Sequence, residues 1–161
     1  MRRYHMERSD REITEKEEVM EILRNGTYCT IALSMNDEPY VLTLSYGLDE
    51  ENSKLYFHTA PKGKKLDFIE ANERACGTVI EDLGYRSGEC SHVYKSVVFY
   101  GAIKEVTDIM EKEKGMMTMF RHLEKDPDAI KERFLSKDAE YDQIKVLRFD
   151  IEEIQGKEKK K

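Results

Sequence analysis

The sequence predicts a mainly β domain, an antiparallel sheet closed or partly closed into a barrel with helices at its periphery. Three observations carry this expectation. Six segments have strand character, most of them alternating residue by residue. The first three follow one another through short polar turns, as hairpins do. Several also lack a charged face, and barrel closure removes the edges that so many strands would otherwise expose. The chain of 161 residues and 18.9 kDa fits one domain.

A helix is expected first. Thr14-Glu15-Lys16-Glu17 has the form of a capping box, Val19, Ile22 and Leu23 fall on one face, and Asn25-Gly26 ends the helix, with Gly26 in the left-handed position. Tyr28 to Met35 is the first strand, with Cys29, Ile31, Leu33 and Met35 opposite Thr30, Ala32 and Ser34. Asn36 to Pro39 is a turn into a second strand, Tyr40 to Tyr46. The polar stretch Asp49 to Ser53 leads to a third, Lys54 to Thr59, so that two consecutive hairpins form a meander.

A short helix follows Pro61-Lys62-Gly63-Lys64-Lys65, with Leu66 and Ile69 on its buried side. Arg74 to Glu81 is the fourth strand and Asp82 to Cys90 a loop. His92 to Val106 is a long fifth strand in which Gly101 marks a bulge or close approach. Asp108 and Glu111 can cap a helix running to about Leu123. Its stripe of Met116, Met119, Phe120 and Leu123 reads as core packing. Asp126-Pro127 opens another helix, and Asp142 to Ile151 is the last strand. The domain is expected to span residues 1–156, with residues 157–161 a solvated basic tail. The strands with no charged face need cover on their outer side from a helix or a second subunit, so a homodimer is expected.

Charge narrows the function. There are 27 basic and 33 acidic residues, a net of −6. The tail holds four lysines and one glutamate, which leaves 23 against 32, or −9, for the body. A general nucleic-acid binder would need a basic surplus. No apolar run reaches the ~18–20 residues of a membrane span, and Met1 to His5 is not followed by an apolar signal segment. Cys29, Cys76 and Cys90 form no CxxC, and the histidines (His5, His58, His92, His122) show no ligand spacing, so no metal is expected. A cytoplasmic location fits this cysteine usage.

The segment from Phe57 to Lys65 carries the most chemistry. A strand ending in small and hydroxyl groups turns through Gly63 into a helix whose start bears Lys64 and Lys65. Helix N-termini favour anions and disfavour cations, so this turn is either a solvated basic loop or a phosphate site whose ligand resolves the conflict.

Five stretches together resemble the pyridoxamine 5′-phosphate oxidase-related flavoproteins, the FMN-binding split barrels, and most of all the nitroimidazole-resistance-like branch. They are Asp10 to Ile13, Glu38 to Tyr46, Leu55 to Ala60, Gly63 to Leu66 and Tyr94 to Gly101. The resemblance implies a six-stranded antiparallel Greek-key split barrel and a homodimer with FMN at the subunit interface. It implies that Val41, Leu42, Thr43, Leu44, Ser45 and Tyr46 lie along the flavin, mainly by backbone contacts. His58, Thr59, Ala60, Gly63, Lys64 and Lys65 form the phosphate cradle, and Ser96 and Val97 approach the cofactor from the partner. It raises the anion-site reading of the basic turn above the solvated loop.

The resemblance also implies an FMN-dependent oxidoreductase reducing a small electrophile such as a nitro-aromatic, with His58 as the catalytic proton donor or orienting group near substrate. The bland alternative for His58 is a hydrogen bond to cofactor or backbone. A nicotinamide or deazaflavin would be the transient electron donor. A flavin- or haem-binding carrier of the same fold is the alternative function, and a barrel that has lost its cofactor is a third. Departures are Thr43 where many relatives carry Pro, Lys95 where many carry Arg, and His92 where many carry a bulky aromatic, so that His92 reads as surface or pocket rim. His122 is expected on the surface. The chain has no Trp and lacks the basic C-terminal segment of true pyridoxamine-phosphate oxidases, so that activity is not expected.

Overall fold

The computed structural model describes residues 6–160. Met1 to His5, read as no signal segment, and Lys161, read as the end of the basic tail, lie outside the described residues. Among the described residues a 3₁₀ turn, Ser9–Arg11, precedes β1 (Glu12–Ile13) and α1 (Lys16–Asn25). Then come β2 (Tyr28–Met35), β3 (Glu38–Ser45), β4 (Gly47–Asp49), β5 (Lys54–Thr59), α2 (Lys64–Ala71), β6 (Arg74–Arg86) and β7 (Ser91–Val106). The chain ends with α3 (Ile109–Leu123), α4 (Pro127–Phe134), α5 (Asp138–Tyr141) and β8 (Lys145–Lys159).

All strand pairs are antiparallel, in the order β3-β2-β6-β7-β8-β5-β4, with β1 added on β8. The six expected strands are all present, and β1 and β4 bring the sheet to eight. The sheet is not closed by hydrogen bonds. Its two terminal strands, β3 and β4, are nevertheless consecutive in the chain, separated by Tyr46 alone. The result is a split barrel.

The inner face is the main core. Cys29, Ile31 and Leu33 of β2 meet Leu55 and Phe57 of β5, Val97 and Phe99 of β7, and Leu147 and Phe149 of β8. Val19, Ile22 and Leu23 of α1 and Phe68 and Ile69 of α2 join the same cluster, so both helices pack on the inner side. Phe99 and Phe149 meet edge to face at 5.0 Å between centroids. Gly101 marks the point where the β7–β8 register shifts, as expected. A Cβ there would stand 1.9 Å from the Asp150 carbonyl oxygen, so only glycine admits this approach.

The outer face is divided. Under β5, β8 and the end of β7 it is covered by α3: Tyr56, Val106 and Val146 pack on Met116 and Met119 with Leu135 and Tyr141. This bears out the core reading of the methionine stripe. A partly buried polar network ties the layers: Arg148 Nη1 donates to Glu111 Oε1 at 2.5 Å, Nη2 to Asp150 Oδ2 at 2.9 Å, and the Tyr56 hydroxyl to Glu111 Oε1 at 3.3 Å. The other half, across β3, β2, β6 and the start of β7, has no covering helix among the described residues. By strand alternation and register it presents Val41, Thr43 and Ser45, then Tyr28, Thr30 and Ala32, then Cys76, Thr78 and Ile80, then Ser96, Val98 and Tyr100. None of these is charged; the charged outward positions of β6 are Arg74 and Asp82, towards its ends.

Several expectations are corrected. The second hairpin of the meander does not form. β3 pairs only with β2, while β5 pairs with β4 and β8. The loop expected from Asp82 continues as strand to Arg86, because β7 supplies rungs as far as Arg86↔Ser91 with a bulge between Asp82 and Tyr85. Lys157 to Lys159, expected to begin a solvated tail, are rungs of β8 paired with Ser96 to Tyr94. β8 accordingly starts at Lys145, not Asp142. At α1 the N-cap is Glu15 and no side-chain cap forms; Gly26 has φ −71°, not a left-handed value. Asp108 does cap α3, accepting from the Glu111 N–H at 2.8 Å, but the Glu111 carboxylate turns to Arg148 and does not complete a box. Asp126 caps α4 through the Ala129 N–H at 3.0 Å. His122 is half-buried, not a surface residue: its Nε2 donates to the Gly26 carbonyl at 2.6 Å and its ring lies 5.0 Å from that of Tyr46.

Candidate functional site

The site begins at the end of β5. Alternation turns Leu55, Phe57 and Thr59 inward and Tyr56 and His58 outward. Thr59 is 7% exposed and, tyrosines aside, the one buried residue with a polar side chain among the described residues. No hydrogen bond from its hydroxyl occurs among them. The hydroxyl oxygen is not among the buried unpartnered atoms, so it reaches the surface and is open to a ligand hydrogen bond.

The chain then passes through exposed Ala60, Pro61 and Lys62 to Gly63. Gly63 has φ +146°, a conformation that favours glycine, and its carbonyl accepts the Leu66 N–H at 2.9 Å to start α2. Lys65 folds back over this turn: a Cβ on Gly63 would lie 3.5 Å from its Nζ. Lys64 turns the other way. Its Nζ donates to Glu38 Oε1 at 2.7 Å and lies 5.2 Å from the centroids of both Tyr40 and Phe68. Part of the expected conflict at the helix start is thus resolved by the protein itself, through Glu38 and through Asp67 in the first turn. Among the described residues Lys62 and Lys65 have no acidic partner. One hydroxyl, a glycine turn, two uncommitted ammonium groups and the first N–H groups of a helix form a set that fits a phosphate.

β3 lies beside this turn, joined to it by the Lys64–Glu38 pair. Leu42, Leu44 and Tyr46 point inward and Val41, Thr43 and Ser45 outward. Tyr46 is fully buried; its hydroxyl donates to the Leu23 carbonyl at 2.5 Å and its N–H to the Thr27 carbonyl at 3.3 Å. As a terminal strand, β3 is paired on one side only and leaves backbone groups free along its other edge.

The remaining site residues are not gathered with these. His58 is on the opposite face of β5 from Thr59, paired across the ladder with Val146, and its tip is exposed. Close packing around it holds its imidazole pKa below the usual value by desolvation. Ser96 is on the outer face of β7 and Val97 is fully buried in the core, three strands from β3 within one chain. Two pairings escaped the sequence reading. Glu38 is 26 positions from Lys64. Asp82 receives the His92 Nε2–H at 2.7 Å across the β6–β7 hairpin. Among the described residues no three His, Cys, Asp or Glu side chains converge as a metal site would require, and no helix is long and apolar enough to cross a membrane.

An antiparallel split barrel with a glycine turn leading into a lysine-bearing helix defines the class. Residues 15–158 match the pyridoxamine 5′-phosphate oxidase family profile, and the chain belongs to that family. Comparison with curated protein sequences gives no match. Similar solved structures include a candidate 5-nitroimidazole antibiotic resistance protein from Bacteroides thetaiotaomicron. It has 23% identity and a TM-score of 0.77 over 91% of this chain and 85% of that one. A flavocytochrome from Azotobacter vinelandii has 18% identity and a TM-score of 0.80 over 98% and 73%. A FAD-binding protein from Mesorhizobium loti has 23% identity and a TM-score of 0.68 over 93% and 98%. At these identities the likeness is one of fold.

Proposed function

We propose that this chain is a flavoprotein that binds FMN as a homodimer and serves as an oxidoreductase for a small electrophile such as a nitro-aromatic. The observation that carries the reading is the turn from Thr59 to Lys65. A threonine whose hydroxyl makes no protein hydrogen bond ends β5, and four residues on a φ-positive glycine opens α2, with Lys65 folded over it. Family membership and the flavin-binding neighbours support the same reading. The uncovered outer face, charged only towards the ends of β6, supports the dimer, because an apolar and hydroxyl-bearing sheet face of this breadth is stabilised by cover.

When bound, the flavin would supply the redox chemistry. The chain's own residues would hold and position it. Lys65, Lys62 and the first N–H groups of α2 would neutralise the phosphate, and Thr59 would donate to it. The free edge of β3 would offer N–H and C=O groups to the ring's polar rim, while Val41 and Thr43 flank it. Substrate and a nicotinamide or deazaflavin donor would reach the ring from its open side. His58, on the other face of β5, would act on this site only through that opening.

The test is FMN uptake. Purified protein should be yellow, with one FMN per chain. Replacing Lys65 with Ala should weaken binding by about 1.5–3 kcal/mol, the worth of one charge-assisted bond, whereas Lys64→Ala should cost less because Lys64 already serves Glu38. A colourless protein that takes up neither FMN nor FAD refutes the reading.

A further inference from the structure

The β2–β3 hairpin is fastened to both ends of α2. Its turn is two residues long, Asn36 with φ +50° and Asp37 with φ +65°, as a type I′ hairpin requires. On the β2 side, Asn72, which ends α2, donates from its side-chain amide to the Ser34 carbonyl and to the Ser34 hydroxyl, both at 3.1 Å. On the β3 side, Lys64 at the start of α2 reaches Glu38, the first residue of the strand, at 2.7 Å. Tyr40 of β3 packs on Phe68 of α2, with 5.2 Å between ring centroids.

Lys64 is held at three points. Its Nζ faces one carboxylate oxygen and lies 5.2 Å from each of the two rings. A phosphate that drew this ammonium group away would leave Glu38 unpaired and forfeit both ring contacts. Its neighbour Lys65 has no acidic partner among the described residues, and the Lys65 Nζ lies over Gly63. Two adjacent lysines thus serve different elements. The Lys64 and Glu38 side chains are 52% and 57% exposed, and an ion pair so exposed adds little to overall stability. What it fixes is the placement of a terminal strand, paired on one side only, against the helix.

We propose that Lys64 is a positioning residue and not a phosphate ligand. Acting through Glu38 and Tyr40, it holds the free edge of β3 at a set distance from the start of α2, so that strand and turn meet the ring and the phosphate of one flavin together. This rests on the flavin reading above, and it takes Lys64 out of the cradle in which the resemblance placed it. The ring and phosphate of FMN are joined by a flexible ribityl chain. Two protein sites held at a fixed separation lower the ordering cost of binding such a ligand, because the protein does not have to be arranged as well.

The test compares FMN with riboflavin, which has the same ring and ribityl chain but no phosphate, by flavin fluorescence. Lys65→Ala should weaken FMN binding and leave riboflavin binding unchanged. Lys64→Ala and Glu38→Gln should each weaken both ligands by the same factor, about three- to fivefold. The double variant should be no worse than either single one, because both remove one contact. Lys64→Arg, which can still pair with Glu38 and stack on the rings, should match wild type. At saturating FMN the visible absorption band should shift in Lys64→Ala but not in Lys65→Ala, since only the first moves the strand along the ring; this reads the same contrast if riboflavin binds too weakly to titrate. A Lys64→Ala protein that loses affinity for FMN alone with no band shift, or that matches wild type in both affinities and in the band, overturns the proposal. Wild-type protein that takes up no flavin would instead refute the underlying reading, and the proposal with it.

Discussion

The outer surface of the barrel is finished in two ways. Under α3 it has a second apolar core and a network in which Arg148, Glu111, Asp150 and Tyr56 pair with one another across β5, β8 and the helix. Across β3, β2, β6 and the start of β7 it has hydroxyls and apolar groups, with charge only towards the ends of β6, at Arg74 and Asp82. A sheet face covered by its own chain can carry half-buried charges, because partners for them are built into the same fold. A face that awaits another molecule is better left neutral, since any charge there must find its partner in the other molecule or be buried alone.

The largest effect should come from breaking the covered half. Tyr56→Ala removes a fully buried ring beneath α3 and withdraws a donor from Glu111. It should cost about 3–5 kcal/mol in urea unfolding, as large core truncations do, whereas Thr43→Ala on the bare half should change monomer stability by less than about 0.5 kcal/mol. Equal costs would erase the distinction between the halves. The next effect is in assembly. Val41→Asp, at a position 59% exposed, should leave the fold intact yet weaken self-association at least tenfold by sedimentation, because each copy would bury an unpaired carboxylate. Unchanged association would show that the bare half is not the contact.

Thiol reactivity sharpens the same contrast. Burial pushes the Cys29 thiol up to about 12 and raises that of Cys76, while Cys90 is exposed. Cys90 should label first in native protein and Cys29 only on unfolding. Cys76, on the bare half, should label faster in Val41→Asp than in wild type; equal rates would count against cover of that half.

The smallest effect concerns His58. Its folded pKa is held below the unfolded ~6.5, so between those values the unfolded chain binds more protons. Stability should therefore fall as pH drops through ~6.5 toward the folded pKa. His58→Asn should remove that part of the acid sensitivity. An NMR titration of His58 at or above ~6.5 would contradict this.

Much of the fold could be read because it is local. The alternation of Cys29, Ile31 and Leu33 fixes both the strand and its inner face, and Asp108 and Asp126 announce their helices. Pairings between distant segments could not be read. Nothing near β3 says that its continuation crosses to the far end of the sheet. Nothing in Asp82 to Arg86, polar and glycine-bearing, reveals that β7 holds it as strand. Lys157 to Lys159 look like a frayed end until Tyr94 to Ser96 are seen beside them. The site divides along the same line. The Thr59-to-Lys65 turn is contiguous and was legible, but Glu38 reaches Lys64, and His92 reaches Asp82, only through the folded sheet.

Tyr46 links the two terminal strands of the sheet, and its hydroxyl is tethered to the end of α1. The seam of the barrel is therefore spanned by a single residue. Once β2 and β5 have found their places, bringing the terminal strands near each other closes almost no loop and costs little chain entropy. No ladder of hydrogen bonds closes the seam, yet its sides cannot drift apart there, because the chain itself joins them. An insertion at this point should consequently be tolerated far less than one of the same length in the β5–α2 turn, even though both lie between elements of secondary structure.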